Sequence, residues 1–291
     1  MIIETPDDVT AAVLQEMHRT PNARTRELLA LLVRHLHAFV REAKLSEREF
    51  QEAIGDINAI GKQTTPSHNE AMLLAGALGV SNLVCLINNG GRGTRPTQAN
   101  NLGPFYRAGA PRCAEGDSIV RSATAGSPLL FRGWVKDENG APVPGVDVHV
   151  WQSSPAGLYE NQDATQAEMN LRGIFTTQAD GSFSFRSVKP AGYPVPTEGP
   201  TGALLAAQKR HNMRPAHLHF LLYKPGYKTI ASQVYDPEDA HLETDSQFGV
   251  TRALIGNFVK TGDGYRLEFT FQLERGDAVL PKAPITQKVA A

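Results

Sequence analysis

The chain has 291 residues, 41% hydrophobic and 20% charged, which suits one large domain or a domain with an accessory piece and excludes global disorder. A formal net charge of −1 argues against nucleic acid or an anionic membrane surface as the main partner. Cys85 and Cys113 are too few for a disulfide scaffold, no apolar run is long enough to span a bilayer, and Met1-Ile2-Ile3-Glu4 lacks the basic-then-apolar layout of a secretory signal, so the expected setting is the cytoplasm.

From about residue 22 to 90 the pattern is helical. Leu28, Leu29, Leu31, Leu32, Leu36 and Val40 recur at three- and four-residue spacing and predict one apolar face. Ser46-Glu47-Arg48-Glu49 is a capping box that opens a second helix through Phe50, Ile54 and Ile57. Ser67-His68-Asn69-Glu70 repeats the pattern before a third run, Met72 to Ile87, so apolar all round that it is expected to be buried or to lie at an interface. Asn88-Asn89-Gly90-Gly91-Arg92-Gly93-Thr94-Arg95-Pro96 then breaks the helix and marks a boundary.

After about residue 100 the period changes to that of short strands. Leu129 to Val135 is followed by the turn Glu138-Asn139-Gly140, Val146 to Trp151 alternates, and Asp180-Gly181 joins Gly173–Thr177 to Ser182–Phe185. Strands are predicted near 215–223, 228–235 and 264–273. The fold class expected is mostly β with an α-helical N-terminal part: residues 1–100 helical, 101–275 a β-sandwich, 276–291 a peripheral tail.

The chemistry concentrates in Arg214-Pro215-Ala216-His217-Leu218-His219-Phe220. On a strand, residues i and i+2 share a face, so His217 and His219 present two imidazoles together. Tyr159 and Tyr193 stand upstream in glycine-containing segments, and two phenols with two imidazoles make a hard ligand set that suits a ferric ion better than zinc or copper(I). Taken singly, a buried tyrosine is more often a core residue. A His-x-His pair by itself would by default hold zinc. A non-enzymatic β-sandwich binding module with a structural zinc at His217 and His219 therefore stays open on the residues alone. No Gly-x-Gly-x-x-Gly follows a strand to bind a nicotinamide or flavin.

The surroundings of these residues resemble the intradiol ring-cleaving dioxygenases: the catechol, chlorocatechol and hydroxyquinol 1,2-dioxygenases. The resemblance runs from about Leu73 to Phe258 and rests on Leu102-Gly103-Pro104-Phe105, Gly140 to Gln152, Gly157-Leu158-Tyr159, Tyr193-Pro194-Val195-Pro196-Thr197-Glu198-Gly199-Pro200 and Arg210-His211 through His219. It implies a non-haem Fe(III) held by Tyr159, Tyr193, His217 and His219, with Tyr193 the ligand that leaves when substrate binds. It also implies active-site roles for Arg214 and for Gln233 in Ser232-Gln233-Val234-Tyr235. The implied reaction inserts both atoms of O2 into an aromatic diol between its two hydroxyl-bearing carbons and yields a muconate-type dicarboxylate. By the same resemblance Leu73, Gly76, Asn101, Pro104, Phe105, Val195, Pro196 and Phe248 form the pocket wall. Two copies would join through the N-terminal helices, where a lipid-like molecule could occupy a tunnel.

The preferred diol stays open. Thr197-Glu198-Gly199-Pro200 and Phe248-Gly249-Val250 look more like hydroxyquinol and chlorocatechol enzymes, but Leu73-Leu74-Ala75-Gly76-Ala77-Leu78-Gly79 has Gly76 where the hydroxyquinol pattern places Asp. Thr97-Gln98-Ala99-Asn100-Asn101 likewise replaces an acidic run usual in the family. The protocatechuate type ranks lower, because that group usually uses two chain types and lacks a long helical N-terminal half.

Overall fold

The structure, a computed structural model, describes residues 2–89 and 98–286. Most of the predicted boundary at Asn88–Pro96 lies outside the described residues, as does the end of the predicted tail. The chain forms two compact units, divided between Asn58 and Ala59.

In the first unit, α1 (Pro6–Met17) starts with proline, which needs no amide hydrogen there, and Asp8 accepts the Thr5 amide at 2.8 Å. The next helix, α2 (Ala23–Ala43), is capped by Asn22, whose side chain accepts from the Thr25 amide at 2.8 Å. It stops at Lys44 in the left-handed conformation. The predicted capping box opens α3 (Glu47–Gln63): the Glu49 carboxylate accepts from the Ser46 amide at 2.9 Å and the Ser46 hydroxyl at 2.6 Å. The apolar stripe on α2 is present but uncovered, with Leu28, Leu32, Leu36 and Phe39 all exposed.

The second unit corrects the predicted helix from Met72 to Ile87. It is two helices, α4 (Glu70–Ala77) and α5 (Val80–Asn89), bent by 74° at the break. Gly79 takes φ +72, a conformation that stops the first helix at little cost. Asn69, not Ser67, caps α4 by accepting the Met72 amide at 2.9 Å. No single described helix is long and apolar enough to cross a membrane.

Ten strands follow among the described residues: β1 (Pro128–Asp137), β2 (Asp147–Gln152), β3 (Arg172–Thr176), β4 (Ser182–Val188), β5 (Tyr193–Pro194), β6 (Met213–Arg214), β7 (His217–Tyr223), β8 (Ile230–Tyr235), β9 (Asn257–Thr261) and β10 (Gly264–Leu273). A short helix, α6 (Pro200–Ala207), separates β5 from β6. One four-stranded sheet has the order β4-β1-β10-β9, with β1 and β10 parallel; a second has the order β3-β2-β7-β8 and is antiparallel; β5 and β6 pair by themselves.

The two large sheets share one apolar core. Phe131, Val135, Phe185, Leu267 and Phe271 come from the first sheet, and Val148, Val150, Leu218, Phe220, Leu222 and Val234 from the second. The rings of Phe131 and Phe220 meet at 5.0 Å and those of Phe220 and Phe271 at 4.9 Å, so aromatic contacts cross between the sheets. The coil after β10 is tied down through residue 286: the Thr286 amide donates to the Pro66 carbonyl at 2.8 Å, and Ile285 is buried.

Phe131 touches Phe183, Phe185 and Phe220 at once. Truncation to Phe131→Ala is expected to cost about 3–5 kcal/mol of stability through lost burial and the cavity left behind. Denaturant unfolding followed by circular dichroism measures it, and a midpoint equal to that of the parent chain would contradict this account of the core.

Candidate active site

The register of β7 builds the site. Its even residues, Leu218, Phe220 and Leu222, enter the core between the sheets, so the pleat sends His217 and His219 to the opposite side. Across the ladder His219 stands beside Trp151 of β2 and Gln233 of β8, and His217 stands beside Tyr235. The Trp151 ring stacks flat on the His219 ring, 4.7 Å between centroids and 8° between planes.

Tyr159 arrives on the loop between β2 and β3, and Tyr193 on β5. The two segments approach closely at Gly157: a β-carbon there would lie 3.3 Å from the Gly192 carbonyl oxygen and 3.4 Å from the Tyr193 β-carbon. Glu160, next to Tyr159, is fully buried between two guanidinium groups, with Arg107 at 2.8 Å and Arg172 at 2.7 Å. Arg172 also donates to the Phe105 carbonyl at 2.8 Å, and the Phe105 ring stacks on Tyr159 at 4.4 Å. A buried ion network thereby fixes one wall of the site and the tyrosine beside it.

The four expected ligands come together. His217 Nε2 and His219 Nε2 are 3.0 Å apart, and Tyr159 Oη lies 3.0 Å from His219 Nε2. The Tyr159 and Tyr193 rings meet edge to face at 5.1 Å, and Tyr193 and His217 are 5.5 Å apart by ring centroid. His217 Nδ1 sits 2.7 Å from the Pro215 carbonyl, which can only accept, so Nδ1 carries the proton and Nε2 offers its lone pair to the cluster. His219 Nδ1 has no hydrogen-bond partner among the described residues, and the Trp151 stack orients that ring instead.

All four side chains are buried. Burial, aided by Arg214, pushes His217 down to about 3, and burial with the neighbouring His217 and Arg214 holds His219 well below the usual range. Burial also raises Tyr159 well above the ordinary phenol value, with Tyr193 adding to the shift, and raises Tyr193 against the pull of Arg214. Desolvation thus favours neutral imidazoles, as metal ligation requires, and converging oxygen and nitrogen lone pairs have few donors to satisfy them. The donor set fits a hard cation. Among the described residues no group of three or more His, Cys, Asp and Glu converges, so the phenols bring the donor number above two.

Arg214 is held beside Tyr193 by the β5–β6 pair, in which the two residues are direct partners. Its Nε and Nη2 grip the Asp245 carboxylate, both at 2.9 Å. Nη2 also donates to Gln233 Oε1 at 3.0 Å and Tyr235 Oη at 2.8 Å. The other end, Nη1, lies 3.4 Å from Tyr193 Oη and 3.3 Å from His217 Nε2. Burial opposes the charge, but Asp245 and the nearby phenols hold the proton on Arg214 above the usual guanidinium value. Gln233 completes the frame by donating from Nε2 to the Asn101 carbonyl at 2.9 Å.

A small cavity opens beside Tyr193 and Arg214. Gly76, Asn101, Pro104, Phe105 and Val195, all named above by resemblance, line it together with Met72, Ser81, Gly103 and Gln247. Leu73 is buried in the aromatic cluster behind this wall, and Pro196 is half-buried outside the lining. Phe248 lies under the Arg210 guanidinium at 4.6 Å, 51% exposed, and borders a separate surface groove; its neighbour Gln247 reaches the cavity instead. Sequence reading also passed over Asp245, Tyr235, Arg172 and Glu160. Tyr235 could have been found, since it lies two residues beyond Gln233 on the same strand face. Asp245 has no local signature.

Comparison with known proteins identifies the family. A family described as "Dioxygenase" matches residues 102–275, and one described as "Catechol dioxygenase N terminus" matches 22–94. A 6-chlorohydroxyquinol 1,2-dioxygenase of Cupriavidus pinatubonensis is 39% identical, covering 91% of this chain and 96% of the relative. A catechol 1,2-dioxygenase of Candida albicans is 38% identical over 82% of this chain and 80% of its own. The crystal structure of hydroxyquinol 1,2-dioxygenase from Pseudomonas putida DLL-E4 superposes with a TM-score of 0.82 at 33% identity, covering 93% of this chain and 99% of that one. The chain belongs to the intradiol ring-cleaving dioxygenases. It is an enzyme that opens the ring of a catechol-type diol between the two hydroxyl-bearing carbons, and the reading as a non-enzymatic zinc module falls.

Glu160→Ala is expected to lower stability by about 3–5 kcal/mol, because it strips the buried Arg172 of its counter-charge. Thermal or urea unfolding of the metal-free chain measures this apart from ligation. A loss below about 1 kcal/mol would mean that Glu160 does not brace the Tyr159 loop.

Proposed function

We propose that the chain is a ferric dioxygenase in which Tyr159, Tyr193, His217 and His219 hold a single non-haem Fe(III), and that its substrates are O2 and an aromatic ortho-diol. The observation that carries the reading is the convergence of two phenol oxygens and two imidazole Nε2 atoms in one desolvated cluster. A ferric ion held by these four residues would supply the Lewis acidity that activates an aromatic diol toward O2. Tyr193 Oη, at the cavity wall, would, once a bound cation had displaced its own proton, be the group placed to take one from an incoming hydroxyl. Arg214 keeps Nη1 for the site while its other donors are held by Asp245, Gln233 and Tyr235, so a fixed positive charge faces negative charge developing on the ring, a placement worth about 3 kcal/mol. Gln233 and Asn101 keep that guanidinium and the cavity edge in register. The names of the relatives put hydroxyquinol-type rings first among candidate substrates, with catechols next.

The same reading treats the paired sheets as the catalytic β-sandwich of residues 101–275 and the helices to about residue 100 as the region through which two copies join. The uncovered apolar faces of α2 and α5, with Leu32, Leu36, Leu83 and Ile87 exposed, support a dimer. A groove bordered by Pro6, Val9, His37, Val40 and Arg41 has the apolar character a lipid chain would take.

Purified chain is expected to carry about one iron and to show the broad visible band of phenolate-to-iron charge transfer. Tyr193→Phe should shift that band and lower kcat at least about tenfold, and His219→Ala should lose the iron. Colourless protein without iron, or an unaltered spectrum for Tyr193→Phe, would remove this ligand assignment. Light scattering after size exclusion is expected to give twice the chain mass, and a stable monomer at micromolar concentration would refute the dimer.

A further inference from the structure

Gln247 is a buried amide on the cavity wall that the proposed reaction does not use. Its side chain is 6% exposed, it borders the cavity shared by Tyr193 and Arg214, and its Nε2 has no hydrogen-bond partner among the described residues. An unpaired buried amide costs free energy unless something in the cavity completes it. The other charged or amide groups on the wall are engaged: Arg214 with Asp245, Gln233 and Tyr235, and Asn101 with Gln233.

Two features fix the Gln247 amide in place. The first is Gly76 on α4, where any β-carbon would collide with Gln247 Oε1, so the absence of a side chain there is what lets the amide lie at the wall. The second is the loop that carries Gln247. Asp245 accepts from the amides of Gln247 at 3.1 Å and Gly249 at 2.9 Å, and the Ser246 amide donates to the Met213 carbonyl at 3.1 Å. Arg210 donates to the Ser246 carbonyl at 2.7 Å and Asn100 to the Gly249 carbonyl at 2.7 Å. The same Asp245 carboxylate grips Arg214, so Gln247 is fixed in the frame that fixes the guanidinium.

We propose that the Gln247 amide, seated over Gly76, hydrogen-bonds a further hydroxyl on the substrate ring and makes the enzyme select trihydroxybenzenes over diols with an apolar substituent at that place. With Oε1 against Gly76, the unpaired Nε2 is the atom left to donate, and a ring hydroxyl oxygen can accept from it. A methyl group or a bare ring edge leaves the amide unsatisfied, and a site built to bond a hydroxyl rejects analogues that lack it more strongly than an apolar wall rejects an added one. This inference rests on the intradiol reading above and names the residue that sets its substrate class.

The test compares kcat/KM for 1,2,4-trihydroxybenzene and 4-methylcatechol, by oxygen uptake, in the iron-loaded full chain and in Gln247→Leu, Gln247→Met and Gly76→Ala. The parent enzyme is expected to prefer the trihydroxy ring at least about tenfold, and each variant to reduce that ratio about ten- to a hundredfold, mainly through a higher KM for the trihydroxy ring. A parent enzyme that cleaves both diols with equal kcat/KM overturns the inference without any variant, and leaves the intradiol reading standing. A ratio that stays within about twofold of the parent value in every variant that melts cooperatively overturns it too. A parent enzyme that cleaves no diol removes the intradiol reading and this inference together.

Discussion

Strand β7 carries two environments on one backbone, and the rest of the site depends on that division. Leu218, Phe220 and Leu222 are fixed by aromatic and aliphatic packing between the sheets, while His217 and His219 face a polar cluster on the other side. A shift of one residue in register would send the imidazoles into the core and the aliphatic side chains into the donor cluster. Core packing therefore does more than stabilise the domain. It selects the only register in which two Nε2 atoms stand 3.0 Å apart, beside Trp151, Gln233 and Tyr235 on the neighbouring strands.

Around this strand the polar groups are arranged in two buried ionic hubs. Glu160 binds Arg107 and Arg172 and braces the segment with Tyr159; Asp245 binds Arg214 and braces the segment with Gln247. Buried ion pairs give little net stability compared with apolar packing, but breaking one is costly. Their value here lies in direction. Each carboxylate also holds a loop, so cationic charge and loop position cannot vary independently. Arg214 is the clearest instance, with Nε and Nη2 committed to the frame and Nη1 directed at Tyr193 and His217.

Local periodicity accounts for what the sequence made legible. The alternation through β7 put His217 and His219 on one face, the Ser46 capping box placed the start of α3, and the turn residues at Asp180-Gly181 separated β3 from β4. The break at Leu78–Gly79 was missed because the run from Met72 to Ile87 is apolar throughout, and uniform hydrophobicity carries no phase from which a bend can be read. Phe248 was expected in the pocket and Gln247 was not, because the loop presenting them takes its direction from Asp245, Asn82 and Arg210, all remote in sequence or unmarked by motif. Family resemblance brought Tyr159 and Tyr193 into the ligand set. Nothing in the spacing of two tyrosines thirty-four positions apart by number would have done so, since their meeting depends on the close approach that Gly157 permits.

The pairing of Gly76 with Gln247 lies apart from the cluster of Tyr159, Tyr193, His217 and His219. The donor cluster and Arg214 are over-determined by strand register and buried charge, so a substitution there disturbs several partners at once. Gly76 leaves room for the Gln247 amide, whose Nε2 has no hydrogen-bond partner among the described residues. With Gln247 in the proposed role, selectivity would sit where the frame is stiff enough to aim a side chain that makes no other hydrogen bond through its Nε2 among the described residues.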